Sequence, residues 1–315
     1  MRAHPRRQRS GKLTSGAGDD RRGHSHNRAS PADTSPRAAR GRSGASVTGL
    51  WVAGSAAAGF ASGPALRAVI FYFGTPSGDP PRRVCPACGH AVFTIGPLLW
   101  PYLPLTGRCP ACATRIGPPL VSVELLTAAA LAIVAARATT AWELAALGWL
   151  AIVAVPLAFI DVAVRRLPNQ LTAAAYAGTL ALLGAAALAG HHPGQLGRAA
   201  LAGAALCGAY LVMLAAFPRG IGGGDAKIAA GVGTALGWLG WPLLLTGAVA
   251  CFAACTLCSA FLLASRRVKL TGHVPLGPFI LLGALVAIAV QPAAAAAQPA
   301  AHACYLRANV QETQR

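Results

Sequence analysis

Runs of Ala, Leu and Val, each about 18 residues or longer and nearly free of charge, recur along this chain. A run of that length crosses a hydrocarbon core of roughly 30 Å as a helix. Eight such runs lie near residues 47–73, 119–136, 142–160, 170–190, 198–217, 228–246, 247–265 and 274–291. The expected fold is therefore an all-α polytopic membrane protein with about eight transmembrane helices. Composition agrees, since 11% charged and 55% hydrophobic residues are out of keeping with a soluble domain of 315 residues. Little polar sequence separates the two runs around Trp241 and Pro242, so their division is the least marked.

The remaining sequence divides around these spans. Residues 1–46 hold eleven of the 27 Lys and Arg residues and almost nothing apolar, which reads as a disordered basic tail. Such an arm could bind nucleic acid, but a solvated tail or an overlong start is the plainer account, and no nucleic-acid partner is expected. The tail lacks the apolar run and small-residue site of a secretory signal, so span 47–73 is expected to persist as an anchor. A loop at 74–118, a seven-helix core at 119–291 and a flexible tail at 292–315 complete the expected organisation.

Four clusters set the orientation: Arg82, Arg83, Arg108 and Arg115; Arg165 and Arg166; Arg219 and Lys227; Arg266, Arg267 and Lys269. With eight spans all four fall on one side, which the positive-inside tendency makes cytoplasmic. The same topology puts the basic tail outside, against that tendency.

The 74–118 loop contains "CPAC" twice, placing Cys85 and Cys88 against Cys109 and Cys112 across twenty residues. Two CxxC knuckles make a zinc-ribbon pattern in which four thiolates close a tetrahedral structural site. Two disulfides or a redox CxxC are the alternatives, and a cytoplasmic location disfavours the first. Of Cys207, Cys251, Cys255, Cys258 and Cys304, only Cys255 and Cys258 repeat the CxxC spacing, with no second knuckle to pair with; the first four lie in apolar runs, as small packing residues do.

Acids are scarce enough to enumerate. Of nine, only Glu124, Glu143, Asp161 and Asp225 lie near the spans, where an ionisable group is costly enough to suggest function. Asp161 ends an apolar run in "FIDVAVRRLPNQLT", just before Pro168 and Asn169 break the chain. Asp225 opens another span at the same face, within "GIGGGDAK", where Gly220, Gly222, Gly223 and Gly224 let the backbone turn and leave room beside the carboxylate. Two aspartates from different helices at one depth could share a proton, one acting as base toward water and the other as acid toward a carbonyl. The plain alternatives are a helix-start carboxylate at Asp225 with Lys227 nearby, and an i,i+4 pair of Asp161 with Arg165. A phosphate loop fits poorly, because "GIGGGDAK" lacks the order GxxxxGK[ST].

Together these segments resemble the type IV prepilin leader peptidases, membrane aspartyl proteases marked by GxGD. The first carries an aspartate seven residues before Pro-Asn, and the second reads Gly222-Gly223-Gly224-Asp225-Ala226-Lys227. "VPLGPFILLGAL" at 274–285 and "PPLVSVELLTAAALA" extend the similarity to roughly residues 50–290. The resemblance implies that Asp161 and Asp225 are the catalytic pair, with Gly222, Gly224, Lys227, Pro168 and Asn169 supporting the site. It implies prepilin or pseudopilin precursors as substrates, cleaved at the cytoplasmic face of the bacterial inner membrane, with the bilayer as surroundings.

Many members also methylate the new N-terminus with S-adenosylmethionine, and here the chain departs from the pattern. It has no Asp-Asn-Ile-Pro element between the knuckles, "IGPPLVSVE" where Arg-Tyr is common, and "AGFASGPALRAV" without the family's asparagine. Glu124 matches a family glutamate, and also suits a helix start. Two other classes remain open on the residues alone: an ion or solute transporter using the intramembrane acids, which would show internal repeats, and a catalytically silent scaffold that captures a partner through the cysteine loop.

Overall fold

The computed structural model describes residues 36–76, 78–92, 106–119, 121–190, 192–217, 222–266 and 275–291, with side chains from residue 48 onward. The basic stretch 1–35, the C-terminal tail, the segment between the knuckles, Gly220, Arg219, Arg267 and Lys269 lie outside the described residues. Among those described, the chain forms eight α-helices: α1 (Pro36–Phe73), α2 (Ser122–Arg137), α3 (Ala141–Val164), α4 (Asn169–Gly190), α5 (Pro193–Ala216), α6 (Gly223–Leu239), α7 (Trp241–Ala264) and α8 (Gly277–Ala289). No extended strand accompanies them there; two isolated antiparallel bridges, Val84 with Ala91 and Arg108 with Arg115, occur in the cysteine loop.

Five helices are long and apolar enough to cross a membrane alone: α3, α4, α5, α7 and the Thr48–Phe73 part of α1. The others are shorter, and α6 shows why that suffices. Most of its residues are buried, including Ile228, Val232, Leu236 and Trp238. A helix enclosed by its neighbours has little lipid to face. Small residues allow the enclosure: a Cβ on Gly233 of α6 would stand 2.9 Å from the Ala202 carbonyl of α5. The α6–α7 division falls at Gly240, not at the 246/247 boundary expected from hydropathy. Gly240 takes φ 139, a conformation that L side chains rarely adopt, and Pro242 sits in the first turn of α7.

Contacts at the two ends fix the direction of the bundle. At one end Arg198, near the start of α5, donates to the Gly237 and Trp238 carbonyls of α6 at 2.8 and 2.6 Å, and Arg137 of α2 donates to the Gln291 carbonyl after α8. These cations sit on C-terminal carbonyls, where the helix dipole favours positive charge. The other end gathers the close of α1, the starts of α2, α6 and α8, and the turn from α3 to α4. The cysteine loop joins that end, because Phe71 of α1 packs with Cys85, Val92, Cys109 and Ile116, and Arg166 donates to the Pro76 carbonyl at 2.9 Å.

Candidate active site

Asp161 lies one turn before the end of α3 and Asp225 in the first turn of α6. Both are buried, at 5% and 7% exposure, and the Asp161 carboxyl is within Coulombic reach of Asp225. The two acids that the sequence set on separate helices thus lie at the same end of the bundle, near enough to act on one another electrostatically.

Each carboxyl faces a helix N-terminus. Asp225 Oδ2 accepts the Gly222 N–H at 3.0 Å, closing the first turn of its own helix. The carboxyl of Asp161 instead lies against Gly277, the first residue of α8. A Cβ at 277 would stand 2.7 Å from Asp161 Oδ2, so only glycine lets α8 approach this closely. Asp161 Oδ2 itself is buried without a hydrogen-bond partner.

The plain alternatives resolve differently for the two acids. Asp225 does act as a helix-start carboxylate, but Lys227 turns away to Asn169 Oδ1 at 2.7 Å. Asp161 makes no ion pair with Arg165: the ion pair found among the described residues joins Arg67 and Glu124. Arg165 serves as the α3 C-cap, in the left-handed region, and its N–H donates to the Asp161 carbonyl at 2.8 Å.

The residues expected to support the site are nearby in the fold. Pro168 and Asn169 form the turn into α4, and the Lys227–Asn169 bond ties that turn to α6. Gly224 presses on it from the other side, where a Cβ would lie 2.8 Å from Leu167 Cβ. Gly222 supplies the N–H that Asp225 accepts.

Sequence reasoning missed Arg67. Its guanidinium grips Glu124 with Nε to Oε1 at 2.6 Å and Nη2 to Oε2 at 2.8 Å, and reaches the Pro118 and Pro119 carbonyls at 3.0 and 2.8 Å. Both side chains are fully buried. A signal existed, because Arg67 is the sole charge in the run 47–73. Gly277 was also passed over, inside a segment noted for its resemblance alone.

The four cysteines of the loop converge, with their sulfurs all within 4.8 Å of one another. Cys85 to Cys112 and Cys88 to Cys109 are each 3.7 Å. Four ligands at about 2.3 Å from one tetrahedral ion are about 3.8 Å apart, so the cluster fits a single metal with no open position. Each knuckle closes alike, Gly89 N–H to the Cys85 carbonyl and Ala113 N–H to the Cys109 carbonyl, both 2.9 Å. The Thr114 hydroxyl and backbone N–H draw the Cys112 thiol down to about 6. The His90 backbone N–H favours the Cys88 thiolate, yet its neighbour Cys112, partial desolvation, and then Cys85 and Cys109 push it up to about 12. Thiols this close resist ionising together unless a cation compensates them, which is what a metal does.

The profile of the Type IV leader peptidase family matches residues 144–263. That of the Bacterial Peptidase A24 N-terminal domain matches 59–138. Proteins named prepilin leader peptidase/N-methyltransferase are similar over most of this span. That of Aeromonas salmonicida is 34% identical over 222 residues, covering 66% of this chain and 71% of its own. That of Aeromonas hydrophila is 32% identical over 223 residues, with the same coverage. That of Burkholderia pseudomallei is 32% identical over 216 residues, covering 64% and 65%. No solved structure matches the chain.

Proposed function

Because the chain belongs to the type IV leader peptidase family, we propose that it is a membrane aspartyl endopeptidase that removes the leader from prepilin or pseudopilin precursors, with Asp161 and Asp225 as its catalytic pair. The observation that carries this is the placing of two buried carboxyls, from α3 and α6, at the same end of the bundle within electrostatic reach of one another. The ionised aspartate takes a proton from water as it attacks the scissile carbonyl, while the protonated partner donates to the carbonyl oxygen. Collapse of the tetrahedral adduct breaks the C–N bond, and a proton passes to the leaving amine. Gly222 orients the Asp225 carboxyl through its backbone N–H, Gly277 positions the Asp161 carboxyl by close packing, and the Lys227–Asn169 bond holds the turn beside them.

The concordant basic loops favour the cytoplasmic face of the bacterial inner membrane, in contact with lipid. Residues 74–118 would form the ribbon and 119–291 the peptidase core, flanked by tails at 1–46 and 292–315. Cys85, Cys88, Cys109 and Cys112 would hold one structural zinc, which stabilises the ribbon and takes no part in hydrolysis. The relatives' names also include N-methyltransferase. S-adenosylmethionine needs partners for a carboxylate, a sulfonium and ribose hydroxyls. Among the described residues of the loop, Arg82, Arg83, Arg108 and Arg115 suit the carboxylate, but Asp79 is the sole acid. These residues do not make a complete site, and no step is assigned to that cofactor.

Mass spectrometry of a pilin-like precursor incubated with the reconstituted protein reads cleavage and N-methylation together. Cleavage by the wild type, lost in Asp161→Asn and in Asp225→Asn while folding is retained, is expected. Normal processing by either variant would refute the assignment. Metal analysis should return one zinc per chain.

A further inference from the structure

An apolar cavity of about 320 Å³ lies between α2, α3 and α8, with Val232 of α6 also in its wall. No catalytic or metal-binding role described above uses it. Its walls are hydrocarbon throughout, without a charged or hydrogen-bonding side chain. Its size falls in the range of about 300–1,000 Å³ typical of ligand cavities, enough to admit the side chains of one helix face.

The course of the cavity decides what would fill it. One end is formed by Val134, Leu147 and Ile288, near the Arg137–Gln291 contact. The other is formed by Ala158, one turn before Asp161 on the same face of α3, with Phe159 beside it, and by Pro278, which follows Gly277. It therefore extends toward the end of the bundle that holds the aspartates and runs parallel to the helices that make it. Along α3 the wall carries Ala151, Ala154 and Ala158, at spacings of three and four that put them on one face. Small side chains in this register let another helix approach closely in a bilayer, where packing rather than hydrophobicity drives association.

We propose that this groove seats the apolar helix of the precursor, the segment that follows the scissile bond, and so delivers that bond to Asp161 and Asp225. The inference rests on the peptidase function proposed above. A helix lying in the groove has one end at the aspartates and its length in the membrane, which matches a substrate cut just before its membrane segment. An apolar face meets an apolar wall, so no buried charge needs compensation. The groove then supplies binding and register, and the carboxyls supply chemistry.

The test uses the full-length protein in lipid with a membrane-embedded precursor. A benzoylphenylalanine photo-crosslinker at Ala154 or Leu282, both in the groove wall, should capture the apolar segment of the precursor. The same probe at Leu257, exposed on α7, should not. Ala154→Phe should raise KM for the precursor about tenfold and leave kcat within about twofold, because it fills the seat and spares the carboxyls. Groove probes that capture only lipid or a second copy of the protein, while the wild type cleaves the precursor, would overturn the proposal and leave the peptidase standing. An unaltered KM in a folded Ala154→Phe protein would do the same. Should that variant fail to fold, the Leu282 probe decides. A wild type that cleaves no precursor would remove the peptidase function and this inference together.

Discussion

Gly277, the first residue of α8, lies against the carboxyl of Asp161, and a methyl group at 277 would stand 2.7 Å from Oδ2. The contact joins the first turn of α8 to the last turn of α3 and fixes where the carboxyl can sit. Gly277→Ala must displace one or the other by a fraction of an ångström. Since misplacing a reacting group by about 1 Å can cost on the order of 100-fold, kcat should fall by up to about that factor. KM and helix content should hold. Steady-state kinetics with circular dichroism checks this, and an alanine variant with wild-type kcat would detach Asp161 from the reaction.

Asp161 and Asp225 should titrate as a unit. A pair that works with one shared proton fails when both are protonated and when both are ionised, so kcat/KM against pH should be bell-shaped. Asp161→Asn, Asp225→Asn and the double variant should lose similar factors, because groups acting together are not additive. Losses that multiply in the double variant would mean that the two act separately.

Arg67 and Glu124 carry opposite charges at 0% exposure. Removing one leaves the other buried and unpaired, so Arg67→Met or Glu124→Leu should cost about 3–5 kcal/mol. The double variant should recover much of that, and stop short of the wild type because the Pro118 and Pro119 carbonyls lose their donor. Unfolding in detergent measures all three. A double variant no better than the singles would assign the cost to packing rather than to charge.

These residues also mark what the sequence could and could not disclose. Asp161, Asp225 and the four cysteines were legible because each signal is local: an acid at the edge of an apolar run, or thiols with two residues between them. Their neighbours in space were not. Arg67 and Glu124 are 57 residues apart, and no local spacing predicts a pair between two helices. The role of Gly277 depends on an approach by α3, so its glycine looked like an ordinary helix start. The break at Gly240 escaped hydropathy because apolar residues continue on both sides, and a left-handed backbone leaves no trace in an average. The short α6 was stretched for a related reason: a helix buried on all sides need not match the bilayer thickness that the prediction assumed.

The two knuckles differ at one equivalent position, which gives a test confined to the ribbon. Gly89 and Ala113 both lie in the left-handed region, at φ 72 and φ 58, and both donate to the carbonyl of the first cysteine of their knuckle. Glycine accepts this conformation freely. For alanine it costs roughly 1–2 kcal/mol, because Cβ crowds the neighbouring carbonyl. Ala113→Gly relieves that strain, offset by about 0.5–1 kcal/mol for the extra freedom glycine has when unfolded. A net gain of up to about 1 kcal/mol is expected, and since metal binding and folding of such a site are coupled, zinc should be held up to about fivefold more tightly. Competition with a chromogenic chelator reads the change directly. Ala113 is exposed and outside the aspartate site, so peptidase activity should stay at the wild-type level. Weaker zinc retention in Ala113→Gly would mean that the alanine methyl makes a contact worth more than the strain it brings.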